Sequence, residues 1–264
     1  MRLPYSLLFV AVSAVAAAQP AMRDGETLVY RVGWGIFFHA GEINISAHAD
    51  NTNGTPLLRV ATTTETKGIA RALYTFEGRA EAVLDAKTGR LLTNTETTKA
   101  PNKITKSTVT FDYSTATAFY VNAYDSAKDT SIALPAGDPL DLIMCLVQTR
   151  RWDLKPGEKR DGLVLFEDEL YELTLYAERY EDVYTTLGTF HTLVLVPRME
   201  KTAPKGMFKR GSTVRVWISQ DERRLPVKFQ VEFKFGAGVA TLTRYQPPTE
   251  TVSKSAADVG NPGP

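Results

Sequence analysis

Apolar and polar residues alternate with a period of two along most of this chain, which predicts a protein built from β-strands. The clearest run lies near the carboxyl end, where Val227, Phe229, Val231, Phe233 and Phe235 alternate with Lys228, Gln230, Glu232 and Lys234. One face of such a strand meets a core and the other water, as in antiparallel sheets. Near the start, Leu28, Tyr30, Val32 and Trp34 alternate with Val29, Arg31 and Gly33. After a turn expected near His39-Ala40-Gly41, Ile43, Ile45 and Ala47 alternate with Glu42, Asn44, Ser46 and His48. Further strands are predicted at 57–65, 80–85, 91–98, 104–113, 117–124, 163–166, 169–180, 183–186, 189–196 and 239–245. Asp85 and Gly89 supply the turn chemistry of a hairpin.

Two stretches break the pattern. Residues 67–73 suit one or two helical turns, and 139–152 suits the main helix. Asp138 is placed to cap that helix, Pro139 fits its first position, and Leu142, Ile143, Leu146 and Val147 form its apolar stripe. Arg150 and Arg151 end it, where cations suit the helix dipole and where one of them is expected to reach into the sheet. The prediction is a mainly β fold: a strongly curved antiparallel sheet or incomplete barrel of roughly a dozen strands, packed on one helix. It occupies 25–246 as a single β-rich domain, after a flexible lead-in and before a Pro-, Ser- and Gly-rich tail at 247–264 that is expected to be disordered. The stretches 26–124 and 168–246 echo one another in strand and turn order, through either a duplication or a chance match of common motifs.

The first eighteen residues differ in kind. Arg2, the apolar run Leu7-Leu8-Phe9-Val10-Ala11-Val12 and the small residues Ala16-Ala17-Ala18 read as a signal peptide, 1–18, cleaved before Gln19. The apolar run is too short for a transmembrane span, so the expected location is periplasmic or secreted. With Arg2 removed, basic and acidic residues balance at 30 each, which gives no basic face for a nucleic-acid partner. The lone Cys145 excludes an internal disulfide, so stability rests on sheet and core.

In the second half, Phe208-Lys209-Arg210-Gly211, Val214-Arg215-Val216-Trp217-Ile218-Ser219-Gln220-Asp221, Arg224-Leu225-Pro226-Val227 and Leu242-Thr243-Arg244-Tyr245 follow one another. This run resembles the carboxyl-terminal signature of a bacterial exported family known as domain of unknown function 3108. Residues 138–150 with Leu154-Lys155-Pro156-Gly157, Leu187-Gly188-Thr189-Phe190, and the opening 26–45 fit the same pattern. The resemblance implies a β-rich envelope protein and supplies no catalytic residue, ligand or cofactor.

The residues carry little catalytic chemistry. Cys145 sits among Ile143, Met144, Leu146 and Val147, as a buried structural cysteine does. His39, His48 and His191 fall on separate elements without metal-ligand spacing, and no nucleophile elbow, phosphate loop or Cys-x-x-Cys is present. Two features suit binding. Arg198, Lys201, Lys205, Lys209 and Arg210 surround Met207-Phe208 in one loop, a pattern suited to an anionic headgroup and to peripheral membrane contact. In the bland alternative, that loop is solvated and its Met and Phe fold back on the sheet. Trp34, Phe37 and Phe38, with the phenylalanines of the penultimate strand, would line an apolar concavity or fill the core. The expected ligand-binding residues are therefore Trp34, Phe37, Phe38, Lys205, Met207, Phe208, Lys209 and Arg210. The leading expectation is non-enzymatic binding of a lipid or lipid-linked glycan. A protein-interaction scaffold with a filled core, paired with an envelope protein, and a hydrolase acting on envelope polymers are the alternatives.

Overall fold

A computed structural model describes residues 20–51, 54–204, 208, 212–233 and 236–249. The proposed signal peptide, Lys205, Met207, Lys209, Arg210, Phe235 and 250–264 lie outside the described residues. The strands are β1 (Thr27–Trp34), β2 (Phe37–Asp50), β3 (Leu57–Thr66), β4 (Glu77–Asp85), β5 (Leu91–Ala100), β6 (Lys103–Asp112), β7 (Thr117–Asn122) and β8 (Thr130–Ala133) in the first half. The second half has β9 (Leu140–Asp141), β10 (Lys159–Phe166), β11 (Glu169–Thr185), β12 (Gly188–Arg198), β13 (Thr213–Ser219), β14 (Pro226–Phe233) and β15 (Gly236–Gln246). Helix α1 (Gly68–Leu73) joins β3 to β4, and α2 (Leu142–Gln148) follows β9.

All fifteen strands form one curved, unclosed sheet in the order β8-β7-β6-β5-β4-β3-β2-β1-β15-β14-β13-β12-β11-β10-β9. Every pairing is antiparallel except the short β9–β10 contact. The incomplete-barrel expectation is borne out. Two meanders run outward from a seam where β1 pairs with β15.

The inner face of the first half follows from the period of two. Leu28, Ile45, Thr62 and Ala80 are cross-strand partners in succession, as are Ala47, Val60, Ala82, Asn94, Val109 and Tyr120. Most of this face is buried in one apolar cluster. Helix α2 is wedged into the core. It gives Met144 and Val147 to that cluster, and Cys145 and Leu146 to a second one with Leu173, Leu175, Leu193, Leu195, Val216 and Ile218.

Three local expectations are corrected. The first hairpin turns at Gly35-Ile36, because Gly35 takes φ 55° and lets Trp34 pair with Phe37. Gly41 is instead a close-approach residue, since a Cβ there would lie 2.7 Å from the Glu65 carbonyl oxygen. Helix α2 is capped by Asp141, whose Oδ1 accepts from the Met144 amide at 3.0 Å. Asp138 pairs with Arg90 at 2.8 Å instead. The lead-in is docked from Ala21 onward, with Met22 buried.

Arg150 reaches into the sheet as expected. It meets Glu26 at 2.8 Å, with both side chains buried, and also donates to the carbonyls of Ala21, Arg223 and Arg224. This pair fastens the end of the α2 segment to the start of β1.

Candidate functional site

The inner face is packed by side chains and α2, and a wide groove lies on the outer face. On the outer face, a register row crosses the sheet: Val194, Trp217, Lys228, Thr241, Arg31, Glu42, Glu65, Glu77 and Lys99 are successive cross-strand partners. In the first half this row is charged. In the second it carries buried Val194 and Trp217, with the Lys228 ammonium 4.1 Å from the Trp217 ring centre. Partial burial lowers the Lys228 pKa.

Beyond a bulge between Ala177 and Arg179, the long β11–β12 hairpin leaves the line of the sheet. Its tip comes to lie over β14 and β15, where the Thr186 hydroxyl donates to the Thr243 carbonyl at 3.5 Å. Facing that tip stands the β1–β2 hairpin. Between them runs a groove of about 550 Å³, lined by Phe37 and Phe38 on one side, with Trp34 at its border, and by Tyr184, Thr185 and Thr186 on the other. Ala237, Val239, Thr241 and Thr243 form its floor, and Arg31 is the cation in its lining. Gly238 alternates with the floor residues and faces the other side of β15, where a Cβ would sit 3.1 Å from two carbons of the Trp34 ring, so that ring packs across the opposite face and Trp34 only borders the groove. Aromatic walls, a small floor and one guanidinium suit an amphipathic ligand with an anionic end.

Of the expected binding residues, the structure brings Trp34, Phe37 and Phe38 together. Phe208 is elsewhere, half-buried against the second cluster beside Leu142, Tyr171, Leu173 and Met199. Its ring folds back on the sheet. Tyr184, Thr185 and Thr186 were not foreseen, because the 169–186 stretch reads as two short strands and nothing in it places its tip against β15.

A second cleft of about 340 Å³ lies between the α2 segment and β10, with Cys145, Trp152, Arg160, Asp161, Glu172 and Lys201 in its lining. Lys201 bridges Asp161 and Glu172, so the two carboxylates are held by one cation. The Thr174 hydroxyl, helped by Lys201, lowers the Asp161 pKa. Burial pushes the Cys145 thiol up to about 12, which keeps it protonated and poorly nucleophilic. His191 Nδ1 lies 2.8 Å from Asp182 Oδ1, yet both side chains are exposed on the β11–β12 hairpin. Among the described residues, no three His, Cys, Asp or Glu side chains group to hold a metal ion, and no helix is long and apolar enough to cross a membrane.

Comparison with known proteins gives a family, and one solved structure, of a β-barrel-like protein, supports the fold. The family described as a protein of unknown function, DUF3108, matches residues 29–243. Among solved structures, the β-barrel-like protein of domain of unknown function DUF1849 from Brucella abortus aligns with a TM-score of 0.54 at 7% identity, covering 86% of this chain and all of that one. A candidate exported protein of YmcC-like fold from Bacteroides fragilis aligns with a TM-score of 0.36 at 10% identity, covering 88% of this chain and 99% of that one. No curated protein matches the sequence.

Proposed function

The chain belongs to the DUF3108 family, and from that premise we propose that it is an exported, non-enzymatic binding protein of the bacterial envelope. Its ligand would be amphipathic, a lipid or lipid-linked glycan with an anionic group. The observation that carries this reading is the outer groove, where Phe37, Phe38 and Tyr184 converge from distant parts of the chain beside Arg31, with Trp34 at the border. Aromatic walls give apolar contact with little loss of side-chain freedom, and the guanidinium orients the charged end. The leader-like 1–18 segment supports a periplasmic or secreted location.

Native mass measurement of the mature protein, purified from a periplasm, tests the reading. Extra mass that leaves on denaturation and is recovered as lipid supports it. Titration with a monomeric lysophospholipid, followed by tryptophan emission, then locates the site: Phe37→Ala/Tyr184→Ala should weaken binding by about tenfold or more. A bare chain mass together with no response to lysophospholipid would sink the proposal. The filled interior supports a second reading, a scaffold that meets an envelope protein through its surface. In that case co-purification from the periplasm would return a protein in place of a lipid.

A further inference from the structure

One end of the sheet exposes more apolar surface than packing within this chain requires. Beyond the row Arg31, Glu42, Glu65, Glu77 and Lys99, the chain continues into the β1–β2 turn, α1 and the β5–β6 turn. Ile36 is 83% exposed and Phe38 88% on the turn, and Ile69 is 70% and Leu73 72% on the helix. Helix α1 has no buried residue. The two projections are neighbours, because the Lys67 amide donates to the Ala40 carbonyl at 2.9 Å and α1 packs along β2. Single exposed apolar residues need no explanation, whereas four large ones and Tyr74 grouped on adjacent projections do.

The charges around them are layered. Residues 32–41, 66–76 and 100–103 contain no acid, but they include His39, Lys67, Arg71 and Lys103. The nearest carboxylates, Glu42, Glu65 and Glu77, all lie in the row behind, where Glu65 pairs with Lys67 and Glu77 with Arg71. Apolar side chains are therefore outermost, cations come next and carboxylates are set furthest back. That is the order of acyl chains, phosphates and water across a bilayer surface.

We infer that this end of the sheet docks on a lipid bilayer, with Ile36, Phe38, Ile69 and Leu73 entering the interface and Lys67, Arg71 and Lys103 at phosphate level. The contact is peripheral. It stands independently of ligand binding in the groove, although it would present the groove mouth to the membrane that holds an amphipathic ligand. The cations are few and partly paired, so apolar insertion carries most of the contact, and raising salt should weaken it only modestly.

Co-sedimentation with vesicles of phosphatidylethanolamine and phosphatidylglycerol tests the inference on the mature chain. The expected results are binding by the wild-type protein and a loss of about tenfold or more in Ile36→Ser/Ile69→Ser/Leu73→Ser. None of those three residues lines the groove, and all are exposed, so the variant should keep its fold by circular dichroism and its affinity for monomeric lysophospholipid. Brominated lipid should quench tryptophan emission in the wild type and not in the variant, since Trp34 stands beside the turn while Trp152 and Trp217 are buried. Wild-type binding that is absent, or that survives the triple change, overturns the inference. So does a dimer in sedimentation that the triple change dissolves, which would assign this face to a second copy. Vesicle binding without lysophospholipid binding would leave this inference standing and remove the ligand proposal; the reverse result would do the opposite.

Discussion

The two arms of the sheet solve the same burial problem differently. From β1 to β7 the strands bury mainly one face, with exceptions such as Val29 and Val83, and their outer row carries Arg31, Glu42, Glu65, Glu77 and Lys99. In β12 and β13 both faces are buried: Leu193 and Leu195 face one cluster and Val194 and Val196 the other, as Val216 and Ile218 do opposite Trp217. A one-sided sheet must keep its outer face polar, so its spare apolar residues collect at the strand ends. A two-sided sheet needs a cover. Here the returning β11–β12 hairpin brings Val183 and Phe190 into the same buried cluster as Val194 and Trp217. The groove lies where the covered region meets the uncovered one.

The strongest test of this contrast compares two positions in one row. Trp217→Ala should cost about 3–5 kcal/mol in urea unfolding, whereas Glu65→Ala should change stability by no more than about 0.5 kcal/mol. Similar costs at both positions would erase the distinction. Next comes the pin between the arms: Arg150→Met leaves Glu26 buried without its cation and should cost about 3–5 kcal/mol. Changing both partners, Glu26→Gln with Arg150→Met, should recover much of that loss. No recovery would mean that the carbonyl contacts of Arg150 dominate.

A smaller effect concerns pH. Burial, with Glu96 nearby, raises the Asp141 carboxyl to about 6; burial raises Glu96 as well. A carboxyl raised on folding favours the native state below its unfolded value near 4, and that advantage is lost as pH rises through about 6. Asp141→Asn keeps the helix cap and removes the buried charge. Its stability relative to wild type should be near zero at pH 4 and rise to about 2–3 kcal/mol in favour of the variant at pH 7.5. A pH-independent difference would contradict this assignment. The smallest change is expected at the hairpin turn, where Gly35→Ala forces a side chain into a left-handed conformation. It should cost about 1 kcal/mol and loosen the Trp34–Phe37 pairing that builds the groove wall.

Strands were legible wherever one face met water, because alternation then records which residues point inward. The Ile45–His48 and Val109–Asp112 stretches are of this kind. Elsewhere the sequence misleads for physical reasons. Leu193-Val194-Leu195-Val196 has no alternation because both faces are buried, so it marks a strand without saying what covers it. Asp138-Pro139 looks like a helix start, yet Leu140-Asp141 is first used to pair with β10, and the cap moves three residues on. The Phe37 and Phe38 wall, with Trp34 at its border, was visible as an aromatic group. Its opposing wall was not, since a hairpin that bends back at a bulge leaves no periodic trace of its destination.

The seam between β1 and β15 has a consequence for how the chain reaches its native state. Residues at the beginning and end of the domain, such as Leu28 and Tyr245, are direct partners at the centre of the sheet. Each meander can be assembled from contacts between consecutive hairpins, but the joint between them requires nearly the whole polypeptide. Such long-range closure is entropically slow and comes late. A chain that is threaded through a membrane from its amino end would therefore stay without its central joint until the last strand emerged. If the chain is exported as proposed, this topology would delay completion of the fold until passage is finished.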